Sequence, residues 1–197
     1  GFYHVADLSD TQSLIATAEA LESQVKKIDI LIHNAADVTS KPFLDTELTE
    51  IEQLIQTNVT GPLQLTRLLL PMMALSQEPT IVHLSSLAGY KANPSQTVYS
   101  ITKTAVNGMS DALRAELEPQ GIHVMNVGLS SVSTETKLKP GQVAAERYAH
   151  LLESALFNQQ DELFLSPLNK WLMRLYKFFP ALVKLRPYKP HSKTHIP

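Results

Sequence analysis

Residues 80–103 read TIVHLSSLAGYKANPSQTVYSITK, and the fold turns on how this stretch divides. Thr80–Ser86 is a short apolar run ending in two serines, the pattern of a strand buried on both faces of a sheet. From Thr97 the period changes. Val106, Met109, Leu113 and Leu117 recur at helical spacing and predict a helix over 97–118 with one buried stripe. Run backwards, that stripe passes through Lys103 and Tyr99, where an amphipathic helix would place leucines.

The same alternation extends both ways. FYHVAD (2–7) reads as a strand, and 11–27 as a helix with Leu14, Ala18, Leu21 and Val25 on one face. IDILIHNAA (28–36) reads as a buried strand, and 46–70 as a long helix opened by TELTE. GIHVMNV (121–127) is another strand, followed by a helix around 141–157 and a short ELFLS. Strands alternating with helices imply βαβ units: an α/β fold whose mostly parallel sheet is covered on both faces.

At 197 residues the chain can bury one sizeable core. A net charge of −2 with 44% hydrophobic residues gives no reason to expect a nucleic-acid partner. Cysteine is absent, which excludes disulfides, Fe–S clusters and cysteine-held zinc. Neither HExxH nor GxSxG occurs, so metal hydrolysis and a serine elbow are not indicated. The longest apolar runs, such as LLLPMMAL, are too short to span a bilayer. The chain starts without methionine, inside what reads as a strand, so a fragment is expected.

Polar residues interrupt the buried surfaces at several places. Asn58 shares a face with Ile51, Leu54, Ile55, Leu65 and Leu69, and Pro62 four residues on has no N–H to give its carbonyl. That combination suits either a kinked helix with a satisfied asparagine or a carbonyl that holds a water for proton traffic. Ser85 and Ser86 end a strand at the carboxyl edge, where open α/β sheets bind ligands, though serines there also form turns. In HNAAD, small Ala35 and Ala36 let a flat ring approach the backbone, and His33 reads as a strand residue with a local hydrogen bond. Tyr99 and Lys103, at i,i+4, are neighbours on a helix. An ammonium beside a phenol lowers the phenol's pKa and suits it to general acid–base catalysis. A lysine snorkelling past a tyrosine gives the same spacing without function.

Together these residues are more specific than any one of them. Ser86 stands thirteen residues before Tyr99, HNAA ends the preceding strand, and TNVTG lies in the helix between. Over about residues 3–136 the chain resembles the short-chain dehydrogenase/reductase family. The resemblance implies a Rossmann-like fold and an NAD- or NADP-dependent oxidoreductase acting on a carbonyl or secondary alcohol. It makes Tyr99 the acid/base and has Lys103 lower its pKa and hold the nicotinamide ribose. Ser86 positions the substrate oxygen, and Asn58 holds a water that passes protons to Lys103. Asp7, followed by Leu8, matches the contact to adenine, and Asn34 and Ala35 match the strand end along the adenosine. Val132 and Thr134 match the carboxamide segment. A homo-oligomer and a cytoplasmic location go with the resemblance.

The departures are His33 and Ala36 in place of Asn and Gly in NNAG, and Leu129–Ser130 in place of Pro-Gly. The glycine-rich TGxxxGxG and its strand have no counterpart, so the sheet is expected to be N-terminally truncated, with an exposed edge. A catalytically silent remnant that binds a ligand or subunit is the alternative, and epimerisation or dehydration by the same tyrosine is a third reading. Residues 1–166 are assigned to the partial dinucleotide-binding domain and 167–197 to a basic tail. After Glu162 there are seven lysines and arginines and no acid. Lys170, Arg174, Lys177 and Lys184 fall on one helical face, roughly opposite Leu172, Leu175, Phe179 and Leu182. Such a helix suits a membrane interface or packing over the cleft.

Overall fold

The computed structural model describes residues 1–130, 132–133, 143–165 and 167–178. Helix α1 (Thr11–Gln24), capped by Asp10, precedes strand β1 (Ile30–His33). Helices α2 (Leu48–Ile55) and α3 (Gly61–Met73) are joined by a π-turn over Gln56–Thr60. Strand β2 (Thr80–Ser86) leads through a short turn into α4 (Thr97–Leu117) and then β3 (His123–Leu129). The two-residue strands β4 (Val132–Ser133) and β5 (Val143–Ala144) pair with each other. Helix α5 (Ala145–Phe157), strand β6 (Glu162–Phe164) and helix α6 (Pro167–Phe178) follow.

The main sheet is parallel throughout, in the order β1-β2-β3-β6. Alternation along β2 divides its side chains between two covers. Ile81 packs with Val124, Met73, Leu117 and Ile122 under α3 and α4, while Val82 packs with Met125, Val127, Tyr148 and Ala155 under α5. This is the doubly wound α/β arrangement that the strand–helix alternation predicts, and the Rossmann-like fold that the resemblance implies.

Two expectations are overturned. Residues 2–6 form no strand; Tyr3 is 91% and Val5 83% exposed. A strand needs a neighbour, and among the described residues none pairs with this segment. The strand expected at 28–36 forms over 30–33 and is half-covered rather than buried, at the exposed edge expected where the family's first strand has no counterpart. Leu31 packs against the core under α3, but Ile30 and Ile32, on the other face, stay 48% and 45% exposed. An open groove of about 840 Å³ runs beside Ile30, Leu152, Leu156 and Phe157. Ile30 and Thr80 begin their strands, so this groove lies at the amino edge, away from the carboxyl edge where such sheets bind ligands.

The long helix expected at 46–70 forms over 48–73, and its irregularity sits at Asn58, within the π-turn. Pro62 removes one helical donor, and the Gly61 N–H reaches back to Gln56, widening the turn. Gly61 is also where the Leu8 backbone crosses: a Cβ there would lie 2.1 Å from the Leu8 carbonyl oxygen.

Candidate active site

The carboxyl ends of β1, β2 and β3 meet the first turns of α4. Between them Ser86, Tyr99, Leu129 and Met173 line a cleft of about 520 Å³, with Lys91 and Gln96 on its rim. Ser86 ends β2 and turns its hydroxyl back to accept the Ala88 N–H at 3.1 Å, which starts the short turn Leu87–Gly89. That turn holds α4 close. Any Cβ on Gly89 would fall 2.5 Å from the Lys103 carbonyl oxygen, and the Gly89 carbonyl accepts from Thr104 Oγ1 and Asn107 Nδ2 at 3.0 Å each. Ser85, one residue earlier on the opposite face, donates to the same Lys103 carbonyl at 3.2 Å. The serine pair therefore splits its tasks: Ser85 docks the helix, and Ser86 faces the cleft.

Ser86 and Tyr99 both line the cleft, so that the serine hydroxyl bears on the phenol. Lys103, one turn further, is only 5% exposed. Its ammonium lies 5.7 Å from the Tyr99 ring centroid and donates to the Leu84 carbonyl at 2.8 Å. The expected depression of the phenol by the lysine is not what this arrangement produces. Burial pushes the Tyr99 phenol up from its ordinary value, and the Ser86 hydroxyl pulls it part of the way back. Burial also lowers the Lys103 ammonium from 10.5 to about 8. The charge lies beside the ring face, and it is itself weakened by desolvation.

Asn58 is 2% exposed, and its side chain is fully engaged. Its carbonyl oxygen accepts the Asp37 N–H at 2.8 Å, while its amide donates to the Asp37 carbonyl at 2.8 Å and to Thr102 Oγ1 at 3.1 Å. Thr102 in turn donates to the Tyr99 carbonyl at 2.8 Å. The side chain thus clamps the segment after β1 onto the first turn of α4. Sequence reading placed Asn58 near the site but had no signal for Asp37 or Thr102 as its partners.

Asn34 and Ala35 are exposed at the carboxyl end of β1, and Ala35 borders the same small cavity as Lys103. Asp7 is exposed; Ser9 donates to it from its hydroxyl at 2.7 Å and its N–H at 2.8 Å, and these bonds hold the carboxyl below its ordinary value. Leu8 lies against Gly61. Val132 pairs with Val143 through its backbone. Thr134 lies outside the described residues. The exposed strand end, the exposed carboxylate held by Ser9 and the buried lysine could meet the adenosine and ribose parts of a dinucleotide. The sequence holds no glycine-rich turn for a pyrophosphate.

The family model for short chain dehydrogenases matches residues 2–142. The chain belongs to the short chain dehydrogenase family. Among curated relatives it is 29% identical over 180 residues to the ketoacyl reductase HetN of Nostoc sp., covering 86% of this chain and 63% of that protein. It is 33% identical over 134 residues to dehydrogenase/reductase SDR family member 7B of Xenopus laevis, covering 68% of this chain and 42% of that protein. The chain therefore spans only part of the length of these relatives. A solved short chain dehydrogenase/reductase from Burkholderia phymatum, in complex with NAD, superposes with a TM-score of 0.77 at 20% identity. The match covers 95% of this chain and 78% of that one, and it shows the shared fold.

The tail helix differs in part from expectation. Lys170 approaches Glu162 at 4.0 Å rather than standing on a free basic face, and Met173 reaches the cleft. Leu168 and Trp171 are exposed. Lys184, Phe179 and Leu182 lie outside the described residues, as do the side chains of Arg174 and Lys177. Among the described residues no helix is long and apolar enough to cross a membrane.

Proposed function

We propose that this chain carries the proton-transfer half of an NAD- or NADP-dependent oxidoreductase that interconverts a carbonyl and a secondary alcohol. The single observation that carries this reading is that Ser86 and Tyr99 line one cleft, with a buried lysine one helical turn away whose ammonium lies 5.7 Å from the tyrosine ring. The bound dinucleotide would supply or accept the hydride. Tyr99 gives its phenolic proton to the carbonyl oxygen as that oxygen becomes an alcohol, and takes a proton back in the reverse direction. Ser86 donates to the same oxygen and holds it in line with the phenol. Lys103 holds the ribose and restores the proton to the phenolate, and the Asn58 main-chain carbonyl holds the water through which Lys103 is recharged. A phenol kept protonated by burial is suited to the reducing direction, because it donates only as negative charge develops on the substrate oxygen.

The residues that would meet the cofactor are Asp7, Leu8, Asn34, Ala35, Tyr99, Lys103, Val132 and Thr134. The sequence carries no glycine-rich turn, so the test uses a version extended at its N-terminus to include one. In it, Tyr99→Phe lowers turnover by about 10²–10⁴-fold with dinucleotide affinity kept. Turnover near the parent's rejects this role. A parent that binds dinucleotide without turnover selects the silent binding module instead.

A peripheral lipid surface is the second partner supported by a specific observation. Leu168 and Trp171, 63% and 61% exposed, lie on the helix that sends Met173 into the cleft, in a segment with seven lysines and arginines and no carboxylate side chain past Glu162. Co-flotation with anionic vesicles at low salt, lost at high salt, supports this contact; no co-flotation at low salt rejects it.

A further inference from the structure

Strands β1 and β2 pair with His33 directly opposite His83, so both rings project from the same face of the sheet. They stack with centroids 5.1 Å apart and planes 7° from parallel. Each ring meets a helix hydroxyl. His33 Nε2 lies 2.7 Å from Thr66 Oγ1 on α3, and His83 Nδ1 lies 3.0 Å from Ser110 Oγ on α4. Both hydroxyls donate their single hydrogen to a carbonyl one turn back, Thr66 to Pro62 and Ser110 to Val106, each at 2.9 Å. Each hydroxyl therefore accepts from its histidine, which places the ring hydrogens on His33 Nε2 and His83 Nδ1.

This assignment leaves His83 Nε2 as an acceptor. His83 is 1% exposed, and Nε2 meets no hydrogen-bond partner among the described residues. A buried acceptor of this kind calls for a donor. The ring borders a small cavity of about 10 Å³ whose wall also includes Lys103, Asn58 and Ala35. That is about the room one water molecule needs. The titratable and charged groups bearing on His83 are His33 from β1 and Lys103 and Arg114 from α4. All three are basic, so the ring stays neutral and its lone pair stays available.

We propose that this cavity is a water site closed on the sheet side by His83 Nε2, which makes His83 a positioning residue for the Lys103 ammonium. The inference rests on the reading of Lys103 as the proton carrier for Tyr99. The Asn58 side chain is spent on Asp37 and Thr102, and the Lys103 ammonium already gives one hydrogen to Leu84. A water accepting a second hydrogen from that ammonium then donates one of its own to the imidazole. His83 thereby fixes the water's orientation and stabilises the charged form of Lys103.

The test titrates Lys103 by NMR in lysine-labelled chains, with His83 native, His83→Leu or His83→Gln, and without cofactor. His83→Leu lowers the Lys103 midpoint by about one pH unit, the worth of one hydrogen bond to a charged group. His83→Gln, whose side-chain oxygen can accept, keeps it within a few tenths of a unit of the parent. A high-resolution crystal structure of the parent chain shows an ordered water within hydrogen-bond distance of Nε2, a readout that needs no variant to fold. An unchanged midpoint in His83→Leu, equal shifts in both variants, or no water at Nε2 overturns the inference. If Tyr99→Phe abolishes turnover while His83→Leu leaves the Lys103 midpoint unmoved, only the role of His83 fails. If Tyr99→Phe retains turnover, the reading beneath it fails, whatever is seen at Nε2.

Discussion

The Lys103 ammonium lies beside the Tyr99 ring, 5.7 Å from its centroid, and is tied to the strand below through the Leu84 carbonyl at 2.8 Å. A cation in this position is held by the backbone of β2 rather than by an acid, and desolvation lowers it to about 8 from 10.5. Between pH 8 and 10.5 the unfolded chain binds more protons at this residue than the folded one, so stability rises with pH across that window. Lys103→Met removes that rise. Allowing for the lost hydrogen bond, the variant is more stable than the parent by about 1–2 kcal/mol at pH 7, and the gap closes by about pH 10.5. Paired melting curves at pH 7 and above 10 check this; an equal gap at both rejects it.

Ser86 both starts the turn after β2 and lines the cleft with Tyr99. Ser86→Ala leaves the Ala88 N–H without its acceptor, at a cost of about 1 kcal/mol, and lowers turnover of an extended enzyme at least about tenfold. Ser86→Thr retains most of both. Chemical denaturation and steady-state kinetics on the two variants separate the turn from the chemistry.

Asn58 makes three hydrogen bonds from a position that is 2% exposed. Asn58→Ala strands the Asp37 N–H and carbonyl, and lowers stability by about 2–3 kcal/mol. Hydrogen exchange at the Asp37 amide becomes fast while exchange in α4 beyond Val106 changes little. Uniform acceleration across the chain contradicts a local clamp.

The buried histidine pair makes the fold acid-sensitive. Burial lowers His33 from 6.5 to about 4 and His83 from 6.5 to about 3. Both are neutral in the folded chain at pH 5, where the unfolded chain takes up their protons, so stability falls as pH drops below 6.5. The loss at pH 5 is about 2 kcal/mol per histidine. Denaturant unfolding at pH 7 and pH 5 measures it, and His83→Asn halves the difference.

Gly61 lies under the Leu8 backbone, where a Cβ would come 2.1 Å from the Leu8 carbonyl oxygen. Gly61→Ala displaces residues 7–9 from α3 and costs about 1–3 kcal/mol. Limited proteolysis then cuts before Thr11 faster in the variant than in the parent.

Much of the architecture was legible in the residue pattern because it depends on local rules. Short apolar runs and period-3.6 spacing separated strands from helices, and a sheet of alternating strands and helices has few topologies. The position of Tyr99, Lys103 and Ser86 around one carboxyl edge followed from chain order alone, since parallel strands bring their carboxyl ends together. The misread segments fail for a shared reason. A strand's burial belongs to its neighbours, so the apolar spelling of residues 2–7 and 28–36 could not reveal that the first lacks a partner and the second is only half-covered; the edge itself followed from the missing first strand.

What tertiary structure alone decided is electrostatic and geometric. Sequence spacing put an ammonium one turn from a phenol, but how far each is stripped of water depends on what packs around it. Here that packing raises the phenol and lowers the lysine, opposite to the simple pair. The His33–His83 stack and the Asn58–Asp37 clamp likewise exist only through strand register and loop placement, 50 and 21 residues apart along the chain. Local composition carries no record of such distant contacts, because no local rule couples residues that only folding brings together.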